Sequence, residues 1–497
     1  MTQTVQTYQD HSRAIWKLGM PLILSNLAQF AIHITDTVML GWYSVTALAA
    51  STIAGTMFFV IFIVGAGFAQ AVTPLVAAAA EEKDEVQVRR VTRMGLWLSI
   101  FYGLVVTVPF FWAEDILIAM GQDAEVADLA HIYLQIVIWQ MVPALIIMTL
   151  KSFLAAMEHT AIILWATIGT AILNGFINYA LIFGNWGMPE LGIKGAAIAS
   201  MTVTAITVVI LVVYILRVLP QFQIFKNFWR SDNEIMKRVY RLGWPIGLTA
   251  LAEGGLFSAS AVMMGWIGPL ELAAHGIAIQ LASLTFMVHI GFSQAATVRA
   301  GRALGRRDEA SLRRGGITAI GMSAIYAVVT SLIFLAMPET LVSLFIDPTE
   351  PERATLLRIG ASLIMVAALF QLVDGLQVLA LGLLRGVQDT TVPMVMATIS
   401  YWVIGLPVSY IFAFHFDMGG VGLWLGLVIG LAVAAVLLLT RFWGRSVKIP
   451  PPNCISPKAL DRAALGAGYL SNQSLRRTAC VEIVQDMHAM QGHVYQG

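Results

Sequence analysis

The sequence predicts an all-α integral membrane protein, with twelve transmembrane helices in two six-helix lobes related by a parallel internal repeat. Composition, segment count and self-similarity each lead there. Of 497 residues, 58% are hydrophobic and only 12% are charged, with a mean hydropathy of +0.77. A soluble chain carries about 25% charged residues. A net charge of +1 leaves no basic excess to argue for a nucleic-acid partner.

Twelve apolar segments follow one another: 14–41, 48–78, 92–113, 128–156, 160–184, 193–217, 241–268, 272–302, 316–338, 355–386, 391–415 and 419–443. Each holds the roughly 17–25 or more apolar residues that a spanning helix needs. The alternating pattern of a membrane barrel is absent, so helices are the expected spanning structure. Residues 1–12 are polar and no small-residue cleavage site follows the first segment, so it is expected to stay as a span.

Charge orients the segments. Apart from Lys194, Arg353 and Arg358, every Lys and Arg falls on one set of connections or in the tail. The other set carries acids such as Glu114, Asp115, Asp123, Glu125 and Asp128. The positive-inside rule places the basic set, with both termini, in the cytoplasm. Lys151 and Arg385 are assigned to those basic connections.

The chain repeats itself. A shift of 224 positions lays Leu18-Gly19 and Pro21 on Leu242-Gly243 and Pro245, and Gly41-Trp42 on Gly265-Trp266. It also lays Gly67-Phe68, Gln70 and Thr73 on Gly291-Phe292, Gln294 and Thr297, and Arg89-Arg90 on Arg313-Arg314. After a slip of seven near 350, Gln140 meets Gln371. Halves of six spans in one orientation make a parallel repeat about an axis along the membrane normal, with a cleft between them. The expected organisation is a cytoplasmic N-terminus at 1–13, a first lobe at 14–217, a cytoplasmic linker at 218–240, a second lobe at 241–443 and a cytoplasmic tail at 444–497. The linker mixes aromatic and basic residues, as a connector lying against lipid headgroups does. The tail reads as disordered, with a short loose helix near Ile483–Met490 and two reduced thiols, Cys454 and Cys480.

Three carboxylates fall well inside spans. Glu253 lies twelve residues beyond Arg241, ~18 Å into a core ~30 Å thick. Asp374 is mid-depth in the tenth segment, and Asp36 lies toward the far side of the first. Such acids are functional candidates, although an acid bonded between helices is the structural alternative. Phe370, Gln371, Asp374 and Gln377 share a helical face. Two carboxylates with amide oxygens are hard ligands suited to Na⁺, and the same pair could hold a proton. Phe257 and Phe286 offer ring faces to a cation, or simply pack. In the first half Gln29, His33, Asp36, Asn174, Asn178 and Thr202 form a candidate polar network or interhelical glue. The 23 Met suit a soft, adaptable cavity. No Walker loop, HExxH or CxxC occurs, so neither ATP hydrolysis nor a resident cofactor is expected.

The chain resembles the multidrug and toxic compound extrusion (MATE) family, in its bacterial NorM-like branch. The resemblance spans roughly residues 12–445. It rests on LGMPLILSNLAQF with Asp36 and Met39-Leu40-Gly41, on Leu173-Asn174-Gly175-Phe176-Ile177-Asn178, on Ala296-Thr297-Val298-Arg299-Ala300-Gly301, and on Leu384-Arg385-Gly386-Val387-Gln388-Asp389-Thr390. It implies two six-helix bundles in the bacterial inner membrane, exporting amphipathic organic cations in exchange for Na⁺ or H⁺ and acting as a monomer. It also implies that Glu253 and Asp374 bind the coupling cation and that Asp36 matters for transport. Phe370 stands where a tyrosine is often found. A lipid-linked precursor flippase is the alternative within the superfamily, and an intramembrane hydrolase the alternative outside it.

Overall fold

Twelve helices long and apolar enough to cross a bilayer run through the computed structural model, which describes residues 7–119 and 121–449. They are α1 (Tyr8–Tyr43), α2 (Val45–Glu81), α3 (Glu85–Ala119), α4 (Ala124–Ala156), α5 (Thr160–Phe183) and α6 (Ile193–Val218) in the first lobe. The second lobe holds α7 (Asn233–Ile267), α8 (Pro269–Arg306), α9 (Glu309–Ala336), α10 (Arg353–Gly386), α11 (Thr391–His415) and α12 (Gly419–Ser446). Most helices overrun their apolar segments, because the caps lie in the polar flanks. Thr7 and Asp10 form a capping box at the start of α1. Asp84 and Asp308, equivalent in the repeat, each accept from a backbone N–H three residues on, at 2.8 and 2.9 Å. The residues before them, Lys83 and Arg307, both take the left-handed conformation.

Prolines interrupt three spans. In α4, a 3₁₀ turn at Ile138–Gln140 precedes Pro143, whose ring crowds the carbonyl four residues back. In α3 the 3₁₀ turn begins at Val108 with Pro109. In α11, π segments at Ile399–Gly405 and Ile411–His415 flank a short α turn containing Pro407.

The repeat is visible in how the lobes meet. A Cβ on Gly67 of α2 would stand 2.4 Å from the Gly247 amide nitrogen of α7. One on Gly291 of α8, the repeat partner of Gly67, would stand 2.9 Å from the Ile23 nitrogen of α1. Two related crossings therefore bring backbone against backbone. Ion pairs gather at the basic side of the same boundary. Arg306 meets Glu81 at 2.9 Å, and Arg302 meets Glu81 at 3.5 Å and Glu158 at 3.3 Å. At the opposite end Trp42 and Trp266, also repeat partners, are 75% and 65% exposed, as anchors in an interfacial aromatic belt are.

Three expectations change. The linker does not reach 240: α7 begins at Asn233, because Asp232 caps it by accepting from Ile235 N–H at 3.2 Å. Its aromatic part is docked on α3, where Phe228 stacks on Trp97 at 5.8 Å and accepts the indole N–H at 2.9 Å. Lys151 is no loop residue. It lies within α4 and donates to the Thr167 hydroxyl of α5 at 3.3 Å, which in turn shares a hydrogen bond with Ser25 of α1 at 2.9 Å. The last span continues to Ser446, past the boundary at 444. The Ile483–Met490 helix, Cys454 and Cys480 lie outside the described residues.

Two tests follow from these contacts. Gly67→Ala places a Cβ against the α7 backbone and should cost about 1–3 kcal/mol, read as folded fraction after heating in detergent. Gly55→Ala, with open space around it, should leave that fraction unchanged. The Arg90 guanidinium, 2.5 Å away, holds the Asp232 carboxyl below the usual carboxylate range. Its contribution is therefore present above the ordinary carboxylate pKa of about 4 and is lost as pH falls through the lowered value. Asp232→Ala should cost about 1 kcal/mol at neutral pH, and the gap from the parent should narrow progressively as both are heated at pH values below about 4.

Candidate functional site

The second-lobe site is built on the close packing of α8 against α10. Gly375, Gly382 and Gly386 lie along one side of α10. A Cβ at these positions would meet His289, Ser293 and Ala300 of α8 at 2.6, 2.3 and 2.5 Å. Ser293 and Thr297 donate across the seam to the carbonyls of Val378 and Gly382, at 2.7 and 2.8 Å. With α10 fixed this way, a second face presents Asp374, Gln377, Leu381 and Arg385, at helical spacings of three, four and four.

Asp374, Gln371 and Gln377 are buried, and Glu253 is half-buried on α7. Glu253 Oε1, Asp374 Oδ1, Gln371 Oε1 and Gln377 Oε1 are buried oxygens with no hydrogen-bond partner. Their amide nitrogens are used: Gln371 donates to the Ala282 carbonyl at 3.4 Å, and Gln377 donates to the Tyr401 hydroxyl. Uncompensated oxygens of this kind are costly in an apolar interior and suit a cation that supplies the missing positive charge. Among the described residues no three His, Cys, Asp or Glu side chains converge.

Tyr401 was not among the residues expected here. It is fully buried in the first π segment of α11 and lies within electrostatic range of both Glu253 and Asp374. Its neighbour Trp402 donates to the Ala252 carbonyl at 3.0 Å, tying α11 to α7 beside Glu253. Phe370 has no oxygen to offer. A hydroxyl instead arrives from the next span. The signal in the sequence was a tyrosine inside an apolar segment, which needs a polar partner for its O–H.

The aromatic candidates divide. Phe370 is buried between Phe257, with ring centres 6.0 Å apart, and Trp424 at 5.4 Å. Trp424 is itself held by His275 at 3.1 Å. Phe257 and Phe370 thus form part of a packed stack. Phe286 is half-buried and makes no ring contact among the described residues.

In the first lobe Asp36 accepts from Asn178 at 2.5 Å, and Asn178 also donates to Asn174 at 3.1 Å. Both asparagines are buried. Tyr133 of α4 lies within electrostatic range of Asp36 and packs beside Met39 and Leu40. The other proposed members of this network do not join it. Thr202 turns its hydroxyl back to the Ile198 carbonyl of its own helix at 2.7 Å. Gln29 and His33 are exposed on α1. A threonine in a helix satisfies its hydroxyl on the preceding turn, so Thr202 had no need of the acid.

A basic group also enters the picture. Arg385, assigned from the sequence to a connection, is half-buried at the lobe boundary and donates to Gln70 of α2 at 3.4 Å.

A family model described as MatE matches residues 21–180 and 245–411. The chain is 46% identical over 446 residues to the probable multidrug resistance protein NorM of Rhizobium meliloti (strain 1021), covering 89% of this chain and 95% of that one. It is 44% identical to the protein of the same description from Agrobacterium fabrum (strain C58), covering 87% and 94%. In fold it is similar to the eukaryotic MATE transporter AtDTX14, with a TM-score of 0.79 at 21% identity over 92% of this chain and 99% of that one. An outward-facing multidrug resistance MATE transporter matches equally, with a TM-score of 0.79 at 21% identity over 90% and 99%.

Asn178→Leu should leave the half-buried Asp36 carboxylate without this donor and cost about 1–3 kcal/mol. The Asp36→Leu/Asn178→Leu double variant should recover part of that loss, because removing both partners leaves no orphan. Heating each variant in detergent and measuring the monodisperse fraction checks the order.

Proposed function

The chain belongs to the MatE family of transporters, and from that premise we propose that it is a multidrug efflux antiporter of the NorM kind, exporting amphipathic organic cations in exchange for Na⁺ or H⁺. Family members are transporters and not enzymes, which removes the hydrolase alternative. The observation that carries the reading is the set of four partnerless buried oxygens on Glu253, Asp374, Gln371 and Gln377.

In this reading Glu253 and Asp374 are two acids in a poor solvent for charge, and a small cation or a proton relieves them. The organic cation occupies the cleft between the lobes. Exchange requires that ion and drug each bind the two lobe arrangements unequally. Ion binding favours the arrangement that releases drug outward. Asp36 and its asparagines form a second polar centre in the first lobe. The protein works as a monomer in the bacterial inner membrane, with lipid around it and both termini in the cytoplasm. A lipid-linked precursor flippase calls for a basic cradle for pyrophosphate. Lys151 is already bonded to Thr167 and Arg385 to Gln70, which counts against such a cradle.

Reconstituted protein should expel a fluorescent organic cation when either a Na⁺ gradient or a pH gradient is imposed, one at a time. Glu253→Gln and Asp374→Asn should each lower the gradient-driven rate at least about tenfold, a loss of ~1.4 kcal/mol or more in the driven step. Undiminished gradient-driven efflux in both variants, at equal membrane abundance, would sink the proposal. Response to one gradient alone names the coupling ion.

A further inference from the structure

Gln70 sits on α2 one turn beyond Gly67, where the α2 and α7 backbones touch. Arg385 reaches it from α10, across the lobe boundary, with Nη1 3.4 Å from the Gln70 carbonyl oxygen. The same Arg385 lies on the α10 face that carries Asp374, Gln377 and Leu381. It lines a small cleft together with Ile246, Thr249, Leu381 and Asp389, whose carboxylate is already taken by Arg441 at 2.7 and 2.9 Å. On α7, Ile246, Thr249 and Glu253 follow at spacings of three and four, so Glu253 is the next side chain up that wall. Arg385 and Asp374 both lie within electrostatic range of Glu253, and of the two only Arg385 carries positive charge. One guanidinium therefore stands between an acid of the proposed ion site and an amide of the opposite lobe. The repeat offers no counterpart: the position matching Arg385 in the first lobe is Leu154.

We propose that Arg385 is a positioning residue that couples ion occupancy to lobe closure by serving Gln70 and Glu253 in alternation. With Glu253 charged and without an ion, the guanidinium is drawn up the cleft toward it, and the strut to Gln70 is given up. With a cation or proton on Glu253, that attraction is cancelled and Arg385 donates to Gln70, holding the basic side shut beside the Arg302 and Arg306 pairs with Glu81. Ion binding then favours the arrangement closed on the basic side. The inference rests on the proposed ion site. It adds the element through which that site acts on the other lobe.

Spin labels at Glu82→Cys and Ala310→Cys, both exposed on the basic side of opposite lobes, report closure by double electron–electron resonance. The background carries Cys454→Ser and Cys480→Ser. Adding Na⁺, or lowering the pH in its absence, should raise the short-distance population about fivefold or more, the size of an ordinary coupling factor. Arg385→Gln and Gln70→Leu should each abolish that rise, while radioactive Na⁺ or proton uptake by the purified protein persists. Arg385→Lys should retain part of it, and Glu253→Gln should be closed at the outset and insensitive to either ion. A full ion-dependent rise in Arg385→Gln would overturn the strut and leave the ion site standing. No rise in the parent, together with ion uptake unchanged in Glu253→Gln, would overturn the ion site and the strut with it.

Discussion

Four buried oxygens with nothing to hydrogen-bond to set the terms for the second lobe. Each costs about 1–3 kcal/mol relative to a satisfied group, and lipid offers no water to share the burden. They persist because the helices carrying them are fixed for other reasons. The glycine seam of α10 lets α8 approach to backbone distance, and serine and threonine hydroxyls lock it there. Rotating α10 to hide Asp374 in a hydrogen bond would break that seam. Packing on the far side of α10 thus fixes the face that carries these oxygens. Tyr401 lies in the π segment of α11, which the neighbouring Trp402 ties to α7, and its hydroxyl accepts from Gln377.

The lobe boundary shows what duplication keeps and what it changes. Gly67 against α7 and Gly291 against α1 are one contact made twice, as a two-fold axis requires. The capping aspartates and the left-handed residues before them are also paired. The charges are not. Glu253 has Gln29 as its repeat partner, and Arg385 has Leu154. The scaffold is common to both lobes, whereas its ionisable groups are not repeated. Asp36 is a separate solution, an acid compensated by Asn178 and not left bare. The two lobes therefore differ in kind: Asp36 is bonded, whereas Glu253 and Asp374 each keep an oxygen without a partner.

Much of this was legible before any coordinates. Twelve spans can be read because a helix crossing lipid needs a long apolar run, and nothing else in the chain has one. The two-fold arrangement can be read because repeat partners keep the same residue types. The acids announce themselves, since a carboxylate in a span is costly wherever it points. Asn174 and Asn178, one turn apart, were readable as a polar pair. The bond of Asn178 to Asp36 depends on how α1 crosses α5, and Thr202, also a candidate on paper, turned away.

What the sequence by itself determined is therefore the solvent, the number of crossings, the symmetry and the cost of each buried charge. These are properties of single segments, and each follows from local composition and spacing. Only the tertiary structure decided which groups answer those charges. Tyr401 joined the acids from a neighbouring span, Lys151 went to Thr167 inside a helix, and Arg385 bridged the lobes. Partner choice is set by helix crossings, and those depend on glycine-to-backbone contacts between segments far apart in the chain, which no local pattern records.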